Sequence, residues 1–252
     1  MQRFGIEAHA GVFLPGSNLH PRRVISALFS RALDRAATRG VSLSFYPHTL
    51  VRSISAGSDG WVLDTSRGSL SAKRVVHATN GYTSGLLPEL ASGPDAIVPT
   101  RGQVVALDHD PGWTNGFSGN GGMEYWFQRP NHSHVILGGA RDQAAPRFEY
   151  GVADDSQVNE LVGMHLRRYL ATLASFPPEV KAVEEWTGIM GFRTSHAPLV
   201  RRWRTLGFSK LRHAHQVGRV FDKSGEALPG RYVCAGYSGH GASRPYPCEM
   251  ES

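Results

Sequence analysis

Between Pro21 and Gly40 the apolar residues Val24, Ile25, Leu28, Phe29, Ala32, Leu33 and Ala36 recur at 3.6-residue spacing. That period predicts an amphipathic helix with one face to bury. Pro21 suits the first turn, where its missing N–H costs nothing, and Gly40 supplies the left-handed position that closes a helix. Val41-Ser42-Leu43-Ser44-Phe45 follows at once and alternates as a half-buried strand. Ahead of the helix, residues 10–20 alternate loosely and end in Pro15-Gly16-Ser17-Asn18, a strand running into a turn.

Three short alternating runs come next, near 49–56, 60–65 and 69–73, with turns at Gly57-Ser58-Asp59-Gly60 and Ser66-Arg67-Gly68. They predict a β-meander. Val75-Val76-His77-Ala78 is an apolar run breaking into Thr79-Asn80-Gly81. A buried strand of a parallel sheet ends this way before a ligand-facing loop. Strands are expected over 101–107 and 134–139, flanking a Gly-rich aromatic stretch from Trp113 to Phe127. The aromatics of that stretch and Met164 read as core or pocket lining. Asp154, Asp155 or Ser156 can cap a helix whose stripe runs Val158, Leu161, Val162, His165, Leu166, Tyr169, Leu170, Leu173 and stops before Pro177-Pro178. A last strand, 230–236, opens into Gly236-Tyr237-Ser238-Gly239-His240-Gly241.

Several function classes fall away on composition. The net charge of +6 is local: Arg201, Arg202, Arg204, Lys210 and Arg212 share one segment, and without them 22 basic residues face 21 acidic ones. No nucleic-acid surface is expected from that distribution. No run approaches the ~18 apolar residues of a membrane helix, and the first ten residues hold no signal-peptide core. Two cysteines, Cys234 and Cys248, form no framework and no Cys-x-x-Cys pair, which points to a reducing, cytoplasmic setting. His213-x-His215 has no acid or thiolate nearby, so no metal site is expected.

Read in order, Trp61-x-x-x-Thr65-x-x-Gly68, Val75-Val76-His77-Ala78-Thr79-Asn80, Leu86-Leu87-Pro88-Glu89-Leu90 and Pro99-x-Arg101-Gly102-Gln103 form one collinear series. Leu137-Gly138-Gly139-Ala140-Arg141, the Glu185–Phe192 segment and Tyr232–Gly241 continue it. The series resembles the FAD-dependent oxidoreductases of the D-amino-acid oxidase and sarcosine oxidase superfamily. The resemblance implies an α/β fold with α+β character: a partial FAD-binding domain with a β-meander, and a mixed-sheet substrate domain. It implies that the Val51 backbone holds adenine, that Thr79, Asn80 and Gly81 lie along the dinucleotide, and that Gly236, Ser238, Gly239, His240 and Gly241 pass under the flavin. Glycines there admit close backbone approach, and helix N–H groups stabilise negative charge. His240 also reads as an exposed turn histidine, and Arg101 as either a carboxylate partner or a solvated cation. No catalytic residue is singled out. Gly188, Ile189 and Met190 offer no thiol, so FAD is expected to be non-covalent.

The chain departs from that pattern in three places. No Gly-x-Gly-x-x-Gly occurs in its 252 residues, although the superfamily uses one to bind pyrophosphate. Residues 201–216 form a basic insertion, expected to be a solvent-exposed excursion, between segments that should be near neighbours. Pro245 and Pro247 bar a regular helix after Gly241. The expected organisation is an opening strand of the substrate domain (1–20), a partial FAD-binding domain (21–95), the substrate domain (96–184) and a C-terminal flavin-contacting segment (185–252). The activity implied is oxidation of the CH–NH bond of a small-molecule substrate, an amino acid or secondary amine, impaired by truncation. The rivals are a non-catalytic truncated fragment without flavin and a basic interaction module built on 201–216.

Overall fold

The computed structural model describes residues 6, 11–13, 15–16, 18–173, 176–178, 180–203 and 230–239. Two compact units emerge: residues 1–45, 102–149 and 154–188, and residues 46–101, 150–153 and 189–252.

In the first unit, helix α1 spans Pro21–Thr38 with Pro21 in its first turn, and Gly40 follows at φ +65°. The helix forms where its periodicity puts it, but no residue of α1 is buried; Val24, Ile25, Leu28 and Leu33 are all exposed, and Phe29 meets the Phe45 ring at 4.9 Å. The strand expected at 41–45 does not form. Val41, Leu43 and Phe45 are exposed and find no neighbouring strand, because alternation supplies a face but not a ladder partner. The described residues of 11–20 likewise carry no strand.

The core of this unit lies on a five-stranded sheet ordered β6-β7-β8-β5-β9. Its strands are β5 (Val98–Asp108), β6 (Gly116–Gly119), β7 (Glu124–Gln128), β8 (His134–Gly139) and β9 (Ala182–Phe192). The aromatic stretch expected between two strands thus supplies two strands of its own. Trp113 and Trp126 are buried with Val105, Leu107, Val135 and Leu137, and the Phe117 and Trp126 rings stack at 5.6 Å. Helix α3 (Glu160–Tyr169) lays Val162 and Leu166 on that core, followed by Leu170. Its cap is Asn159, whose Oδ1 accepts from the N–H groups of Leu161 (3.1 Å) and Val162 (3.4 Å). The expected caps fail because Asp154 instead accepts from the amide and hydroxyl of Ser156 in a local turn. The stripe is also narrower than its sequence suggests, with Val158, Leu161 and Met164 exposed.

One buried side chain binds this unit together. The Gln103 carboxamide accepts from the Asn159 N–H at 2.7 Å and donates to the Asn159 carbonyl at 3.1 Å and to Glu185 Oε1 at 2.6 Å. Arg167 donates to Glu185 Oε2 at 2.6 Å and Glu160 Oε1 at 2.9 Å. β5, the cap of α3 and β9 are therefore fixed by one satisfied polar network.

In the second unit, the meander forms as expected: β1 (Val51–Gly57), β2 (Gly60–Thr65) and β3 (Gly68–Ala72), all antiparallel. Gly60 (φ +129°) and Gly68 (φ +120°) make its turns. β4 (Arg74–His77) pairs parallel with β11 (Gly230–Ala235), which pairs antiparallel with β10 (Leu199–Trp203). The Val75-Val76 run therefore does join a parallel pair, but as an edge strand with Val76 exposed rather than the buried strand expected. Arg201, Arg202 and Trp203 belong to β10, so the excursion expected from 201 cannot begin there; residues 204–216 lie outside the described residues. After β4 the chain makes a short 3-10 turn, the single-turn helix α2 (Thr83–Leu86), and a second 3-10 turn at Pro88–Leu90. Leu87, Leu90, Ile97, Leu199, Val233 and Ala235 form this unit's core.

Candidate functional site

Two loops leave the parallel pair β4–β11 at its C-terminal end, and the structure brings them together. Asn80, at φ +41°, turns its side chain onto the second loop, where Oδ1 accepts from the N–H groups of Gly236 (3.0 Å) and Tyr237 (3.4 Å). The end of β9 completes the cluster. Ser238 donates its N–H to the Gly191 carbonyl at 2.8 Å, and its hydroxyl accepts from the Arg193 N–H at 3.2 Å. Gly81 is needed for contact: a Cβ there would stand 2.6 Å from the Met190 carbonyl oxygen. Gly236 is needed twice over, since it sits at φ +75° and its Cβ would meet Arg193 Cδ at 2.5 Å. Thr79 and Thr83 hydroxyls hydrogen-bond at 2.9 Å beneath this loop.

Arg193 is the residue that reading the sequence missed. It is buried, pairs with Asp95 at 2.7 Å and donates to the Ala197 carbonyl at 2.7 Å. Its only sequence signal is its position directly behind Gly191-Phe192. Asp95, 98 residues earlier, gives none. Around the same corner Met190 and Phe192 flank Gly239, which is exposed at φ +80° with both side chains 3.7 Å from where its Cβ would be. Tyr150 meets the Phe192 ring edge-on at 5.7 Å. The exposed corner is thus bare backbone beside a thioether and an aromatic ring.

A second buried charge lies between β4, β11 and the meander. Arg231 Nε donates to His77 Nε2 at 3.2 Å, and its guanidinium stands 5.0 Å from the Trp61 ring centroid. Burial, and then the Arg231 charge, lower the His77 pKa to about 4, against an opposing pull from Glu89. His77 is therefore neutral, with Nε2 as acceptor. Burial also lowers the Arg231 value.

The expected site residues Thr79, Asn80, Gly81, Gly236, Ser238 and Gly239 share one cluster, with the Asn80 Oδ1 and the Ser238 hydroxyl spent on holding it. Val51 opens β1 of the meander, apart in sequence from both loops. His240 and Gly241 lie outside the described residues. Arg101 is half-buried in β5. Cys234 is free, with Sγ 2.7 Å from the Tyr237 hydroxyl.

The family model described as FAD dependent oxidoreductase matches residues 2–243. The chain belongs to that family. FAD is the cofactor the family implies. A curated relative, the probable oxidoreductase OrdL of Rhizobium meliloti (strain 1021), is 23% identical over 237 residues, covering 92% of this chain and 46% of its own length. Among solved structures, glycine oxidase from Geobacillus kaustophilus matches at 20% identity and TM-score 0.54, over 81% of this chain and 46% of its own. L-proline dehydrogenase from P. horikoshii matches at 19% identity and TM-score 0.59, over 86% and 50% respectively. These likenesses establish the mixed α/β fold. The chain spans about half the length of the relatives it matches. Among the described residues no helix is long and apolar enough to cross a membrane.

Proposed function

We propose that this chain is part of a FAD-dependent oxidoreductase that oxidises the CH–NH bond of an amino acid or secondary amine. The observation that carries this reading is the Gly236–Gly239 corner, anchored by Asn80 and Gly191. Its exposed Gly239 offers Cβ-free backbone for a flat ring beside Met190 and Phe192. The residues present fit FAD in that respect: the Thr79–Gly81 loop and the Gly236–Gly239 turn would hold it, with the Val51 backbone at the adenine; His240 and Gly241 are the further candidates the resemblance names. FAD, when bound, supplies the two-electron oxidation of the carbon next to nitrogen. The protein's own part is rigidity. Asn80 and Ser238 hold two backbone segments in one geometry, and the Arg193–Asp95 pair supports the turn from behind. The likeness to glycine oxidase and L-proline dehydrogenase, both named for amino acids, supports the substrate class, and two cysteines support a cytoplasmic setting.

A second reading is favoured by one observation. The 252 residues contain no Gly-x-Gly-x-x-Gly turn, the element that places helix N–H groups on a pyrophosphate. On that reading the chain alone is non-catalytic and carries no flavin. The test is to purify the chain, record its visible spectrum, add FAD, and assay hydrogen peroxide with a panel of amines and amino acids. Stoichiometric yellow protein with substrate-dependent peroxide supports the enzyme reading for this chain by itself. A colourless chain that stays inactive with FAD supports the second.

A further inference from the structure

On the first unit's sheet, one titratable cluster lies outside the proposed flavin site. Glu124, the first residue of β7, is completely buried, on the same strand face as Trp126 in the core. Its Oε1 lies 3.1 Å from His165 Nε2 on α3, and its Oε2 is buried without a protein partner. His165 keeps about a quarter of its side chain in water, at 28% exposure, so the pair has one dry member and one wet one.

We propose that Glu124 and His165 form a proton-operated latch, which holds the Asn120–Gly122 turn and the start of β7 against α3 and loosens when the pair loses its proton to solvent. With the proton present, the pair is either carboxylate with imidazolium or carboxylic acid with imidazole, and both arrangements are neutral overall and hydrogen-bonded. When the proton departs through the wet imidazole, a hydrogen bond can persist but a full negative charge is left in the core without a cation.

The surrounding groups do not compensate. From α3 come His165 and Tyr169, whose phenol is pushed up to about 12 by burial and by the Glu124 charge. From the preceding turn comes the Asn120 side chain, whose contribution, the smallest, favours the ionised carboxyl. The 3-10 turn Arg141–Ala144 packs on α3 and contributes Asp142, whose charge opposes ionisation of Glu124. The same turn also carries Arg141. Burial foremost, then Asp142, raise the Glu124 pKa against the opposing pull of His165.

The element that yields is the turn. Asn120 (φ +47°), Gly121 (φ +64°) and Gly122 (φ +93°) are three successive left-handed residues, all exposed. They are closed by a 3.2 Å hydrogen bond from the Met123 N–H to the Asn120 carbonyl. Moving this turn outward lets the carboxylate reach water without dismantling the sheet.

The latch is tested by amide hydrogen exchange of Met123–Trp126, corrected for intrinsic pH dependence. Protection should fall about tenfold or more from roughly pH 5 to roughly pH 9, a change worth one pKa unit. Glu124→Gln should abolish the pH response. His165→Gln removes one of the two proton positions and should move the response along the pH axis. Unchanged protection across the range, or an identical response in Glu124→Gln, overturns the proposal. Infrared titration of the wild-type chain keeps the test open if a variant fails to fold. The buried carboxyl or carboxylate band should change over the same range, and a band that stays constant across it overturns the latch.

Discussion

His77 shows how one buried side chain ties stability to pH. Its folded value, about 4, lies below the ordinary 6.5, so the unfolded chain takes up the proton first. The stability it contributes is complete above pH 6.5 and is lost as pH falls through about 4. At 2% exposure little solvent screening applies, and the loss amounts to about 3 kcal/mol. Denaturant unfolding at neutral and acid pH checks this: His77→Gln, which can still accept from Arg231, should flatten that part of the profile. Asn80 offers a sharper local test. Asn80→Ala leaves the Gly236 and Tyr237 N–H groups without their acceptor and should cost about 1–3 kcal/mol. Faster amide exchange at those two residues, with the meander unchanged, is the expected signature. Gly236→Ala should be at least as costly, because the left-handed φ and the Arg193 stem both oppose a methyl group.

Among the elements, α3 and α1 differ in what a helix needs from the rest of the chain. The Asn159 side chain caps α3 and also donates to Glu149 Oε1 at 2.7 Å, while its backbone is held by Gln103. Asn159→Ala should therefore cost about 2 kcal/mol, more than a simple cap, and Asn159→Ser should recover the cap alone. Both are read from unfolding midpoints. Among the described residues helix α1 has no side-chain cap of that kind. Replacing exposed Ile25 and Leu28 together with Glu should change stability by no more than about 0.5 kcal/mol. The same change should lower dye binding and self-association, because it removes exposed apolar area. A large loss of stability instead would mean that this face is buried in the protein as purified.

At the scale of the whole molecule, FAD and the fold are linked by mass action. If the chain alone holds FAD more weakly than the concentration supplied, the ligand adds less than about 0.4 kcal/mol to unfolding. A gain of about 3 kcal/mol at that concentration would show a complete site in these 252 residues. The sequence by itself determined α1, the three strands of the meander, the Val75-Val76 strand and the collinear motifs of the family, because each rests on local period, turn chemistry or motif order. The family resemblance also singled out Asn80, Gly81 and the Gly236–Gly239 run, whose backbones the structure brings together. Only the tertiary structure decided what those residues do for one another. The Arg193–Asp95 pair, the His77–Arg231–Trp61 stack and the Glu124–His165 pair join positions far apart in the chain, so no local pattern encodes them. The same holds for the failures at 41–45 and at the α3 cap. A strand needs a neighbour's backbone and a cap competes with nearby turns, and neither condition is written in the residues of the segment itself.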